Sequence, residues 1–197
     1  MTKLLPLNFD SGINRLMVGL MWEPNENRAG VLGTIKEHDL DLSCALFDGN
    51  NELIDLITPQ EPKREAYGVE VFHSGDNLSG GSDFEDEEIR VDFDKLNENI
   101  HALAFFVTTN NKIKFEDVRE PACHFSDATS LNEIIKFDLT ELSKKFEMPE
   151  HFEKERFLIG VVKKNQEGTW DLINYQTRVT VMNSGVIAQV VQEVLAK

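Results

Sequence analysis

The chain has 197 residues, 41% of them hydrophobic and 28% charged, a composition that supports a buried core and argues against wholesale disorder. Its formal net charge is −15, and no segment gathers enough Lys or Arg to form a basic stripe, which excludes direct nucleic-acid binding. Cys44 and Cys123 lie far apart in apolar runs, with no CxxC pair and no Cys/His zinc spacing, so they read as buried thiols in a reducing, cytoplasmic compartment.

At the start of the chain, MTKLLPLNFDSG carries one Lys and an apolar patch broken by Pro6, too short for a signal segment or a membrane span. No transmembrane segment is expected; peripheral membrane association stays open. Short runs with period-two alternation follow in RLMVGLMW, DLDLSCALF, NELIDLI and GVEVFH, with QEPKREAYG between the last two reading as a mobile loop. The clearest strand is EIRVDFD, where Ile89, Val91 and Phe93 face one way and Arg90, Asp92 and Asp94 the other. HALAFFVTT and EIIKFDL come next; LTELSKKFEM reads as a short helix capped by Thr140, with Leu142 and Phe146 four apart. RFLIGVVKK and TWDLINYQ complete the strands, and beyond Gly185 the residues Val186, Val190 and Val194 form one stripe of an amphipathic helix that covers an end or edge of the sheets. About nine or ten strands separated by Gly, Asn, Asp and Pro predict a mostly all-β fold. The expectation is a β-sandwich of two antiparallel-rich sheets with short helices, one near the C-terminus, and residues 1–197 forming a single domain.

Between Glu70 and Asp94 nine carboxylates face the single base Arg90, more than half of the chain's excess negative charge. Folding them against a packed strand brings like charges within a Debye length of roughly 8–10 Å, so compensation is required, and a bound cation supplies it directly. Gly75, Gly80 and Gly81 allow a tight loop, while Asp76 and Asn77 offer side-chain oxygens. Upstream, Asp39 and Asp41 share one face of a strand whose other face carries Leu40 and Leu42. Oxygen-only donors select a hard ion; a long acidic loop favours calcium over magnesium or manganese, which stay open. Neither DGNNELIDL nor DFDKLNEN has the glycine after three alternating ligands that an EF-hand needs.

Taken together, VGLMWEP, DLDLSCALF, GVEVFHSGDNLSGG, EDEEIRVDF and IHALAFFVT resemble, in order and spacing, the TerD family of bacterial tellurite-resistance and stress-response proteins. The resemblance is close from Met17 to about Thr109 and looser beyond. It implies a calcium-binding β-sandwich holding one or two Ca²⁺ ions. Carried over position by position, Asp39 and Asp41 match the family's DLD acids, Asp76 and Asn77 its GDN loop, and Asp86 and Glu87 the last acids before the following strand. Asp83 joins the set by proximity. This chain has Met21 and Glu23 beside Trp22 where the family has Gly and Asp, and GGSDF where the family alternates Glu and Gly.

The resemblance implies a non-enzymatic calcium-binding protein of a stress or tellurite-resistance system, with calcium and other proteins of that system as partners. The alternative is a divalent-metal-dependent hydrolase using the same acids. For that reading there is no GxSxG, P-loop or HExxH, and His38, His73, His101, His124 and His151 are scattered without ligand spacing. A calcium-stabilised partner- or carbohydrate-binding module would need exposed aromatics; Trp22, Trp170 and Tyr175 each alternate with polar residues, which favours core packing.

Overall fold

The computed structural model describes residues 3–25, 37–82, 84–146 and 152–196. In chain order its strands are β1 (Lys3–Pro6), β2 (Arg15–Glu23), β3 (Leu40–Phe47), β4 (Leu53–Ile57), β5 (Val71–His73), β6 (Glu87–Asp92), β7 (Ala102–Thr109), β8 (Arg119–Asp127), β9 (Glu133–Asp138), β10 (Arg156–Lys164), β11 (Trp170–Asn174) and β12 (Thr177–Arg178). The helices are α1 (Arg64–Tyr67), α2 (Leu139–Lys145) and α3 (Ser184–Leu195). None of the described helices is long and apolar enough to cross a membrane. The strands make two antiparallel sheets, one ordered β1-β11-β10-β7-β3-β4 with β12 also on β10, the other β5-β6-β2-β8-β9.

Alternation sends Leu16, Val18, Leu20, Ile89, Val91 and Phe125 of the five-stranded sheet against Leu42, Cys44, Leu46, Phe105, Val107 and Phe157 of the larger one, all at 1% exposure or less. Phe125 is central: its ring meets Phe105 edge-on at 5.4 Å and Phe137 at 6.0 Å. Gly160, at a bulge where β10 changes register against β7, leaves room for it, since a Cβ there would lie 3.3 Å from the ring. Trp22 and Trp170 are buried at 3% and 9%, Tyr175 is half-buried, and both thiols are fully buried with their pKa pushed up by desolvation.

The larger sheet is covered on its outer face as well, which is why β3 and β7 are buried along their whole length. Ala45, Ala102 and Ala104 keep that face shallow, and Ile187, Val191, Val194 and Leu195 of α3 pack onto it beside Phe47, Phe106 and Leu158. The helix therefore lies over a sheet face instead of an end or edge, and its buried stripe is turned from the expected one, with Val186 and Val190 at its flank. Asn183 caps it, accepting from Val186 N at 3.0 Å.

Three further features depart from the sequence expectations. Asp138, not Thr140, caps α2, accepting from Thr140 N at 2.9 Å and Glu141 N at 3.2 Å, because the acid at the end of β9 already reaches the first free amides. QEPKREAYG contains the single-turn α1, whose Arg64 donates to the carbonyls of His73 and Ser74 and lies over Phe72. The strands β1 and β8 are additional; Pro6 ends the first at a sheet edge, where a missing N–H costs nothing.

Replacing Phe125 by Ala should lower the unfolding free energy in urea by about 3–5 kcal/mol, the usual range for a fully buried phenylalanine. A loss below about 1 kcal/mol would remove this ring from the centre of the packing.

Candidate metal centre

Asp39 stands just before β3 and Asp41 on it, while the buried Leu40 and Leu42 fix their carboxylates to the opposite face. The loop joining β5 to β6 brings Asp76 to the same place. One carboxylate oxygen from each of Asp39, Asp41 and Asp76 falls within 4.8 Å of the other two. Two oxygens on one calcium ion, each at roughly 2.3–2.6 Å, are separated by no more than about twice that distance, so the three can share an ion.

The first shell of protein donors leaves these oxygens incompletely satisfied. Asp41, 7% exposed, accepts from Gln60 Nε2 at 3.1 Å and from Asn110 Nδ2 at 2.9 Å, and Lys154 in turn donates to the Asn110 carbonyl oxygen. Asp39 Oδ1 is buried and has no hydrogen-bond partner among the described residues, and none is found there for Asp76. A buried acceptor without a donor, aimed beside two more carboxylates, fits a hard cation.

The other sequence candidates have different surroundings. Asp86 accepts from Trp22 N at 2.8 Å through one oxygen and from Ser82 N and Oγ, both at 2.9 Å, through the other. Asn77 donates to Asp86 at 3.3 Å, and its carbonyl oxygen accepts from Ser79 N and Gly80 N. Glu87, fully buried, accepts from Leu42 N at 2.8 Å and Asn77 N at 3.2 Å. These three shape the loop around the aspartate trio. Asp83 lies outside the described residues. Gly80 and Gly81, at φ +70° and +78°, let the loop pass over Trp22 and Pro24, where Cβ atoms would come within 2.4 Å of each.

His73 is buried and engaged on both sides: Nε2 lies 2.8 Å from the Leu42 carbonyl oxygen, so it donates, and Nδ1 accepts from Gly75 N at 2.9 Å. Burial lowers its pKa and holds the ring neutral. It is a packed strand end, with no nitrogen left for an ion. Outside the trio, other described acids of the segment find protein partners: Glu85 pairs with His124 at 3.0 Å, Glu88 with Arg90 at 3.0 Å, Asp92 with Arg15 at 2.9 Å, and Asp94 with Asn14 at 2.9 Å. Gln60, Asn110 and Lys154 come from turns distant in sequence, and nothing in their local sequence marks them.

Burial first, then the like charges of Asp41 and Asp76, push Asp39 up to about 6. Burial first, opposed by its two backbone donors and assisted by the charges of Asp41 and Asp76, pushes Glu87 up to about 9. The crowding that makes these carboxylates hard to ionise is what a cation would relieve.

Comparison with known proteins comes to the same region of sequence. Residues 4–150 match the TerD domain. Tellurium resistance protein TerZ of Serratia marcescens is 36% identical over 134 residues, covering 66% of this chain and 68% of that protein. Stress response protein SCP2 of Bacillus subtilis (strain 168) is 29% identical over 143 residues, covering 66% and 70%. The crystal structure of a homologue of telluride resistance protein (TerD) from Streptomyces coelicolor A3(2) has the same fold, with a TM-score of 0.66 at 14% identity over 90% of this chain and 96% of that one.

In the unfolded chain a glutamate ionises near its ordinary value of 4.5, whereas folded Glu87 holds its proton to about 9. Its contribution to stability is therefore lost as pH rises through that window. Chelator-treated protein should melt at a lower temperature at pH 9 than at pH 7, and Glu87→Gln should flatten this slope. Equal slopes in the two proteins would remove Glu87 as the cause.

Proposed function

Because this chain belongs to the TerD family, whose members include proteins named for tellurium resistance and stress response, we propose that it is a non-enzymatic calcium-binding protein of such a system. The observation that carries this reading is the convergence of Asp39, Asp41 and Asp76, with a buried oxygen of Asp39 lacking any donor among the described residues. In this reading the trio holds one Ca²⁺, with Asn77, Asp86 and Glu87 keeping the loop in the shape that presents Asp76. The protein works in the cytoplasm, and its partners are other proteins of the stress system.

The ion would act by neutralisation. Three carboxylates with oxygens this close repel one another, and Asp76, exposed on its loop, is the one able to swing away. Calcium replaces repulsion by attraction and ties the loop between β5 and β6 to the start of β3. All donors are oxygens and two of the three carboxylates sit on or beside a strand, while the third rides a loop; that mixture suits the adaptable coordination of calcium better than the strict octahedron of magnesium. A proton competes for Asp39, so affinity falls as pH drops below about 6.

Calcium at a hundredfold excess over Kd stabilises the folded state by about 2.7 kcal/mol, which for a chain of this size raises Tm by roughly 5–10 °C. Asp76→Asn should abolish most of that rise while leaving the Tm in chelator unchanged or higher. Superimposable melting curves in calcium and in chelator, with no heat on calorimetric titration, would sink the proposal.

A further inference from the structure

Away from the aspartate trio, the outer face of the five-stranded sheet carries a groove of about 680 Å³. Its floor is Met21 of β2 and its registered neighbour Ala122 of β8, with Pro121 beside them. One wall is formed by Gly81, Ser82 and Phe84; the other is α2 with the adjacent end of β9. Phe84 is 81% exposed, an unusual position for a phenylalanine on a soluble surface.

The wall that carries Phe84 is braced. Gly81 N donates to the Trp22 carbonyl oxygen at 3.0 Å, and Ser82 is held to Asp86 by two bonds of 2.9 Å. A groove with fixed walls loses little conformational freedom on binding. Its rim is acidic. Five carboxylates line it, Glu23, Asp86, Glu120, Asp138 and Glu141, against two lysines, Lys136 and Lys144, of which Lys144 is paired with Glu141 at 2.9 Å. Of these carboxylates, Glu23 and Glu120 have no ion pair among the described residues. Glu120 also holds a left-handed backbone at φ +51°, beside the bulge where β2 and β8 change register, a conformation an L-residue adopts at a cost.

We propose that this groove docks a segment of a partner protein in which one large apolar side chain is flanked by Lys or Arg. The apolar group lies on Met21 and Ala122 against Phe84, and the basic groups meet Glu23 and Glu120. The acidic rim selects a basic peptide and disfavours an anionic lipid surface. The groove shares the loop between β5 and β6 with Asp76, so it is tested in chelator, apart from the cation reading.

The test uses the full chain in chelator and a fluorescein-labelled peptide with a central tryptophan between two pairs of lysines, read by anisotropy. Replacing the tryptophan by alanine, or the lysines by glutamates, should weaken binding by about tenfold or more. Phe84→Ser and Ala122→Trp should each do the same, with circular dichroism checking the fold, and Glu120→Lys should weaken the lysine peptide. Equal affinity for the tryptophan and alanine peptides, or no effect of Phe84→Ser and Glu120→Lys, would reduce the interaction to general charge attraction and overturn the proposal. Sedimentation with phosphatidylserine vesicles that depends on Phe84, without peptide binding, would overturn it in favour of a lipid surface.

Discussion

Strand β4 pairs with β3 only from Cys44 onward, so the first half of β3 has an open side, and the backbone groups of Leu42 face it inside the protein. Unpaired, a buried N–H and a buried carbonyl would each cost about 1–3 kcal/mol. Two side chains of the opposite sheet take the place of the missing strand: Glu87 receives the N–H and His73 donates to the carbonyl. This cross-sheet clamp fixes how the two sheets meet at that end. It also sets the position of Asp41, one residue away, and of the loop whose ends are His73 and Glu87.

The acidity of the loop thus divides into parts with different physics. Asp86 and Asn77 fold the loop on itself through backbone donors, Glu87 binds it to the other sheet, and the acids on the outer faces are matched by Arg15, Arg90 and His124. What is left is small and local. Among the described residues, carboxylates converge without enough donors at Asp39, Asp41 and Asp76, and the two strand-borne members are held there by the packing of Leu40 and Leu42. The charge that looks excessive as a run of letters is mostly spent on architecture.

Alternation made β6 legible, because Ile89 and Val91 are apolar and Arg90 is not, and the same holds for most of the sandwich. Strand β8 carries the same alternation over Cys123, His124, Phe125 and Ser126, but Pro121 breaks the run before it, a residue that argues against a central strand; His124 is buried against Glu85 in space that Gly19 leaves open, where a Cβ would lie 2.5 Å away. The i, i+2 spacing of Asp39 and Asp41 identified two of the trio, and the GDN turn the third. The backbone hydrogen bonds of Asn77, Asp86 and Glu87 were not readable, since a side-chain oxygen is the same letter in the sequence whatever it faces. Gln60 and Asn110 were invisible for another reason: their relation to Asp41 exists only after three distant turns have come together.

Helix α3 covers a face built from strands that precede it by up to about 140 residues. During synthesis the sheet is complete before its cover exists. Until α3 has left the ribosome, Phe47, Phe106 and Leu158 form a greasy plane open to any other nascent chain. The alanines at positions 45, 102 and 104, which let the helix settle closely, also keep that interim surface shallow and poor in protruding side chains. Folding of this protein therefore includes a local docking step within one molecule, and crowding of unfinished chains is where it is most exposed to misassembly.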